Sequence, residues 1–366
     1  VQESALPLPD NSIEEGGSSA HKSRTLIGNS WSMIRGLAFS PDGRRLASAG
    51  WDKIAKLWSV AEGREARTFT SNLHFTSVAF SPDGRFLGMA AQSDDDKPLE
   101  NAITLWDSTS PNEVRNLIGH QGRVCSIQFS PDGRLLASCD GAGTIYIWDI
   151  NSSQLLRVFR GKWLHSKLGG GSEPNPVLAF SRDGRLLATR SMGIDVWDLS
   201  SGKIVNSLRL HYLTTFLTTF LGFAPDNRSL IETNGGGAIR IWDVTNGKEE
   251  RRLADPPKRK GVIFSLSGGV LNSDATRLAV STYCSADKPA EKVVLWDLAA
   301  GRILGTVPGP DIGGSFLAFS PDGHWLANEE SPLRIDAPQN TTGDYKEKLK
   351  RELVDRIILW RTSEIR

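Results

Sequence analysis

A turn phrase and a strand phrase, each occurring seven times, predict an all-β chain folded as a seven-bladed β-propeller of four-stranded blades. The turn phrase is clearest at Phe129-Ser130-Pro131-Asp132-Gly133, between two apolar runs. Pro presets φ at the second turn position, Asp suits the third and Gly closes the fourth. The turn Asp recurs at Asp42, Asp83, Asp132, Asp183, Asp226, Asp274 and Asp322, at intervals of 41 to 51 residues. The strand phrase is an alternating run ending in Trp, at Trp58, Trp106, Trp148, Trp197, Trp242, Trp296 and Trp360. Asp follows five of these Trp; Ser59 and Arg361 follow the other two. A period of about 40 to 50 residues with two anchors per repeat is that of a propeller blade.

Taken in order, residues 1–21 combine Pro7, Pro9, acidic residues and a Gly-Gly-Ser-Ser run, which reads as a flexible linker. Blades are expected at about 34–69, 75–118, 123–160, 176–209, 218–253, 262–307 and 315–366. Blade 4 begins its turn Ser181-Arg182-Asp183-Gly184, blade 5 has Ala224-Pro225-Asp226-Asn227, and blade 6 diverges most with Asn272-Ser273-Asp274-Ala275. The seventh repeat stops at its third strand, Ile357-Ile358-Leu359-Trp360. Arg24-Thr25-Leu26-Ile27-Gly28 mirrors Arg115-Asn116-Leu117-Ile118-Gly119, the outer strand of blade 2. An orphan outer strand placed before the first blade completes the last one, so residues 22–27 are expected to close the ring and leave no unpaired seam.

The two phrases resemble those of WD40-repeat β-propellers over about residues 22 to 366, and the uniform Ser-Pro-Asp-Gly-Arg wording looks like the bacterial branch of that family. The resemblance implies the fold, and more loosely a non-catalytic protein–protein interaction scaffold, a recognition or regulatory module of a larger bacterial protein. It also implies a hydrogen-bonded set in each blade: a His before the first strand, a Ser or Thr on the second, an Asp in the second-to-third turn and the Trp. No blade keeps all four. Blade 3 has His120, Ser138 and Trp148 with Ala142 in the Asp position; blade 1 has Ser48, Asp52 and Trp58, with Asn29 a shifted stand-in for His. The ring is therefore expected to rest more on packing than on this network.

Composition narrows the function classes. A net charge of +1 offers no bulk attraction to nucleic acid or to an anionic membrane surface. No apolar run reaches the roughly 18 residues of a membrane span, and no signal peptide is present, so a cytoplasmic protein is expected. Because the chain begins at Val1, it reads as a processed product or an excised part of something longer. Three Cys (Cys125, Cys139, Cys284) make no disulfide framework, and Cys125 and Cys139 read as buried free thiols on two paired strands. The six His show no metal-ligand spacing, and no catalytic metal or cofactor is expected. There is no Gly-x-Ser-x-Gly elbow, no phosphate-binding loop and no His-Glu-x-x-His, so no enzyme is expected. The alternative is an enzymatic or small-ligand propeller with its site at the mouth of the central channel.

Loop lengths point to a working face. The first-to-second and third-to-fourth turns are short and uniform. The insertions, 92–101, 161–175, 210–218, 284–292 and 329–356, all fall in second-to-third loops or between blades, which share the opposite face. Loops on a rigid scaffold are where binding concentrates. Aligning blades on the turn Phe puts Trp31, Met33 and Arg123 on that face; counting back from the strand Trp puts Trp51 and Arg190 at loop tips; Trp163, His165 and Tyr212 lie in inserted connections. Trp, Tyr and Arg dominate interface energetics, so these eight are the candidate partner-binding residues of a monomeric propeller. Three other stretches read as solvated surface: Ser93-Asp94-Asp95-Asp96 lacks the rest of a calcium loop, Lys258-Arg259-Lys260 is too short for a nucleic-acid site, and 345–353 is a charged helix or arm.

Overall fold

Alternating apolar runs separated by turn residues become strands throughout. The computed structural model describes residues 23–27, 34–93, 102–108, 114–160, 177–190, 193–208, 218–234, 238–253, 264–284, 292–308, 316–330 and 356–365. Strand β1 (Ser23–Ile27) precedes the first blade. Blade 1 is β2 (Ile34–Phe39), β3 (Arg45–Gly50), β4 (Ile54–Ser59) and β5 (Arg64–Thr70). Blade 2 is β6 (His74–Phe80), β7 (Phe86–Gln92), β8 (Ala102–Asp107) and β9 (Val114–Ile118). Blade 3 is β10 (Val124–Phe129), β11 (Leu135–Asp140), β12 (Thr144–Asp149) and β13 (Gln154–Arg160). Blade 4 is β14 (Leu178–Phe180), β15 (Leu186–Arg190), β16 (Ile194–Asp198) and β17 (Lys203–Leu208). Blade 5 is β18 (Thr218–Phe223), β19 (Ser229–Asn234), β20 (Ile239–Asp243) and β21 (Lys248–Leu253). Blade 6, the most divergent in sequence, still holds β22 (Phe264–Leu271), β23 (Arg277–Cys284), β24 (Lys292–Asp297) and β25 (Arg302–Pro308).

Blade 7 has β26 (Leu317–Phe319), β27 (Trp325–Glu330) and β28 (Arg356–Arg361), and its fourth strand is β1, paired antiparallel with β28 from Ser23↔Trp360 to Ile27↔Arg356. The seven first strands touch one another in a closed ring, β2–β6–β10–β14–β18–β22–β26 and back to β2. A four-stranded antiparallel meander puts its first and third turns on one face and its second turn and exit on the other. Every blade therefore presents its Ser-Pro-Asp-Gly-type turn to one face and its long connections to the opposite one.

The core lies between blades. Seven apolar clusters occupy the seven blade boundaries, and each draws residues from both neighbours; Leu26 of the closing strand joins Leu46, Trp58 and Leu359 between blades 7 and 1. The strand Trp are all buried. An indole needs an acceptor there, and in five blades the residue two past the Leu that faces the Trp supplies it. Ser48, Ser138 and Thr189 accept from Trp58, Trp148 and Trp197 at 2.9, 2.8 and 3.0 Å. Glu232 and Asn328 take the same place beneath Trp242 and Trp360, at 3.3 and 2.6 Å. The network is thus fuller than the sequence reading expected, because a carboxylate and an amide stand in for the hydroxyl. Blade 6 has Val280 at this position, and the Trp296 indole N–H has no hydrogen-bond partner among the described residues.

Neighbouring blades are also stapled at the rim. In five outer strands the residue two before the buried apolar residue reaches a carbonyl of the next blade. Arg24 donates to Val60 and Ala61, Arg115 to Ile150 and Asn151, Arg157 to Ser200, and Arg251 to Leu298 and Ala299. Asn206 does so to Val244. The Arg and Leu shared by the β1 and β9 phrases thus perform the same two tasks in both strands.

Candidate functional site

The Ser-Pro-Asp-Gly face is chemically self-contained. In five blades the Ser hydroxyl donates to the turn Asp, at 2.5 to 2.6 Å, and the same carboxylate accepts the backbone N–H two residues on. The fourth residue sits at positive φ, 72° at Gly133, which costs Gly nothing. Blades 5 and 6 hold Asn227 and Ala275 in that conformation, at φ 58° and 54°. Beyond the turn, Arg85 and Arg228 pair with the buried Asp107 and Asp243 at 2.8 and 2.6 Å. Arg85 is therefore part of the blade's frame, and exposed Arg134 is the better probe of this face.

On the opposite face the described residues converge on blade 1. Trp51, in the β3–β4 turn, is 37% exposed. The Arg35 guanidinium lies over its ring, 4.1 Å from the centroid, and His74 of β6 contacts the Trp51 carbonyl through Nδ1 while its ring stands 6.1 Å from the indole. Asp52 shapes the turn by accepting from Ile54 N at 3.1 Å. Arg35 is placed by a β-bulge: pairing steps from Ile34↔Gly50 to Gly36↔Ala49, leaving Arg35 opposite no single residue. Bulges re-aim a side chain in this way. The same bulge recurs at Thr76, Cys125 and Thr219. Burial lowers the Arg35 pKa most, the Glu329 carboxylate raises it, and the Arg123 guanidinium lowers it, so these groups share one end of the ring.

Of the eight candidate partner-binding residues, Trp51, Arg123 and Arg190 are described. Trp51 lies against Arg35, and the Arg123 charge acts on Arg35 from the same end of the ring. Arg190 is the last residue of β15, only 6% exposed, and shares the strand face that Ala188 turns toward blade 5. It is a buried strand residue and not a loop-tip residue. Trp31, Met33, Trp163, His165 and Tyr212 lie outside the described residues, as do the 1–21 linker, Asn29 and the 345–353 stretch. Sequence reasoning missed Arg35 and His74. Arg35 stands four residues before the turn Phe, where Thr76, Cys125 and Thr219 are all small, so the same alignment carried its signal.

Beneath this face, blade 3 is anchored by His120, whose Nε2 lies 2.7 Å from the Ser138 hydroxyl that also receives Trp148. Burial pushes the His120 pKa down to about 3, so the ring is neutral. Asp140 accepts from Ala142 N and Thr144 N at 3.0 and 2.8 Å, and so closes the turn where Ala142 itself offers no carboxylate. Cys125 and Cys139 are buried thiols outside any disulfide. Among the described residues no group of His, Cys, Asp or Glu is arranged to hold a metal ion, and no helix is long and apolar enough to cross a membrane.

Residues 21–59 and 111–149 match the family described as WD domain, G-beta repeat. Those two segments are WD40 repeats. The chain is 30% identical over 301 residues to the transcriptional corepressor LEUNIG_HOMOLOG of Arabidopsis thaliana, covering 81% of this chain and 34% of that protein. It is 26% identical over 249 residues to the target of rapamycin complex subunit LST8 of Saccharomyces cerevisiae, covering 67% and 75%. Human pre-mRNA-processing factor 17 is 26% identical over 226 residues, covering 60% and 36%. The chain thus spans about a third of the Arabidopsis and human relatives. These relatives are eukaryotic, and the bacterial affiliation expected from the turn phrasing finds no support among them.

Proposed function

We propose that this WD40-repeat propeller is a non-catalytic scaffold that holds a protein or peptide partner on the face of its long connections. The observation that carries the reading is the asymmetry between faces. The long steps between described strands, from Gln92 to Ala102, Arg160 to Leu178, Leu208 to Thr218, Leu253 to Phe264, Cys284 to Lys292, Pro308 to Leu317 and Glu330 to Arg356, open on that face. The exposed Trp51, backed by Arg35 and His74, lies on it as well. A rigid aromatic with an arginine stacked on it is the kind of group that anchors an interface. That the relatives include a corepressor and a subunit of a complex supports a partner that is itself a protein. A module without catalysis accords with the lack of a catalytic motif in the sequence.

The test is a titration of a partner recovered by affinity capture. Trp51→Ala is expected to weaken binding by about 2 kcal/mol or more. Arg134→Glu, on the opposite face, is expected to bind like the parent. The reverse result, with both variants folded, would overturn the choice of face.

A further inference from the structure

Each blade ends in an outer strand whose far edge pairs with no further strand among the described residues. Such an edge is a template for another chain, and folds blunt it with charges or Pro. Three outer strands here are blunted in this way. On β5, Glu65 pairs with Lys56 at 2.8 Å; β21 reads Lys-Glu-Glu-Arg-Arg-Leu, with Glu249 and Arg252 paired at 2.8 Å; and β25 ends in Pro308.

Strand β13 has neither an ion pair of its own nor a Pro. It is seven residues long, and Leu155, Leu156 and Val158 are 40, 51 and 42% exposed. The outer strands on either side continue the apolar rim, with Ile118 on β9 and Val205 on β17 also exposed. Leu155, Val158 and Arg160 stand opposite Trp148, Tyr146 and Thr144 of β12. Trp148 and Tyr146 belong to the core between blades 2 and 3, so the three outer residues border that core at its rim. A fifth strand laid along β13 covers Leu155 and Val158 and carries the interblade core one layer outward.

Charge narrows the choice of occupant. Strand β13 holds Arg157 and Arg160 and no carboxylate. Asp149, at the start of the hairpin, accepts from the Ser152 N–H and hydroxyl at 2.8 Å, and Arg157 donates to the Ser200 carbonyl at 2.9 Å. Exposed Arg160 marks the far end as cationic. A second copy of β13, centred antiparallel on the first, sets Arg157 against Arg157, and like charges directly opposite destabilise a pair.

We infer that β13 receives an extended segment of a protein partner as a fifth, antiparallel strand. Aliphatic residues of that segment lie against Leu155 and Val158, and an Asp or Glu lies against Arg160. Main-chain hydrogen bonds to the edge supply affinity, and the alternate side chains supply the selection. This rim site goes beyond the long-connection face and does not depend on it.

The test titrates a fluorescein-labelled peptide, Glu-Thr-Val-Thr-Val-Thr-Gln, into the full chain and follows anisotropy. Beside it run a form with Lys for Glu and two forms N-methylated at the two alternating sets of residues. The Glu peptide is expected to bind, the Lys form about tenfold more weakly, and only one N-methylated form to lose binding, because one set of N–H groups faces the edge. Val158→Lys is expected to weaken binding about tenfold, and Arg160→Glu to prefer the Lys form. Thr70→Lys on β5 and Trp51→Ala are expected to bind like the parent, with melting temperatures confirming each fold. No binding of the Glu peptide, equal binding of both N-methylated forms, or full binding by Val158→Lys would overturn the inference. A loss in Trp51→Ala would move the peptide to the long-connection face and also overturn it. So would a dimer in sedimentation velocity that Val158→Lys dissolves, which gives the edge to a second copy. Cosedimentation with phosphatidylcholine–phosphatidylserine vesicles that Val158→Lys abolishes would give it to a lipid surface instead.

Discussion

On one face of the ring, the hydroxyls of Ser40, Ser81, Ser130, Ser181 and Ser320 all go to the turn carboxylate two residues on, and that carboxylate takes up a backbone N–H. On the other face Arg35 is packed against Trp51 with a buried Nε that meets nothing among the described residues. The same first strands run between the two. Seven near-copies of a self-satisfied turn make one surface uniform, whereas on the other Arg35, standing where Thr76, Cys125 and Thr219 stand in other blades, lies against the exposed Trp51 on the face proposed for a partner.

The contrast presumes a closed ring, and breaking the closure has the largest expected effect. Deleting residues 1–28 removes β1, with the buried Leu26 and the Arg24 staple, and is expected to cost about 3 kcal/mol or more, the loss of a buried Leu alone being of that order. Deleting 1–20 is expected to leave the melting temperature unchanged. Equal melting temperatures for the two truncations would contradict the closure.

Acid sharpens the contrast next. His120 titrates near 6.5 in the unfolded chain but at about 3 when buried, so between those values only the unfolded chain takes up the proton. Stability from this group is whole above pH 6.5 and falls as pH drops, by at most about 1.4 kcal/mol per unit. On the turn face the order differs. The Ser40 hydrogen bond holds Asp42 below its usual value, and Thr276 does the same for Asp274, so their stabilisation is lost only as pH falls through and below about 3.8. Urea melts from pH 7 to 3 are expected to show an early decline that His120→Gln flattens and a later one that it leaves in place. A parent with constant stability from pH 6.5 to 4.5 would contradict this.

Smaller effects probe the frame itself. Gly133→Ala is expected to cost about 1–2 kcal/mol, because its left-handed φ burdens a β-carbon, while Ala275→Gly at the matching turn of blade 6 gains up to about 1. Val280→Thr puts a hydroxyl under the unpartnered Trp296 indole and is expected to gain about 1 kcal/mol. Denaturant midpoints check all three, and a gain from Gly133→Ala or a loss from both blade 6 changes would contradict the reading of the turns and of the indole acceptors.

The fold was legible because each repeat spells out both its tightest turn and its largest buried ring, and the closing strand because Arg24 and Leu26 copy Arg115 and Leu117. The site was less so. Counting back from the strand Trp assumes a constant second-to-third turn, yet Trp197 follows its acceptor Thr189 by 8 residues where Trp58 follows Ser48 by 10. The two-residue shortening draws Arg190 from a loop tip into a buried strand. Glu232 and Asn328 escaped notice as indole acceptors because neither is the hydroxyl the pattern leads one to seek. Arg35 escaped because it lies inside an apolar strand phrase, and only the bulge turns it outward.

Hydrogen–deuterium exchange of the chain alone and with its recovered partner tests the central claim most directly. Binding is expected to protect Gly50–Ile54, Ser71–His74 and the approach to β10 at Arg123, and to leave Ser40–Arg45 and Ser130–Leu135 unchanged. Protection confined to those two turns, with no change around Trp51, would contradict the account.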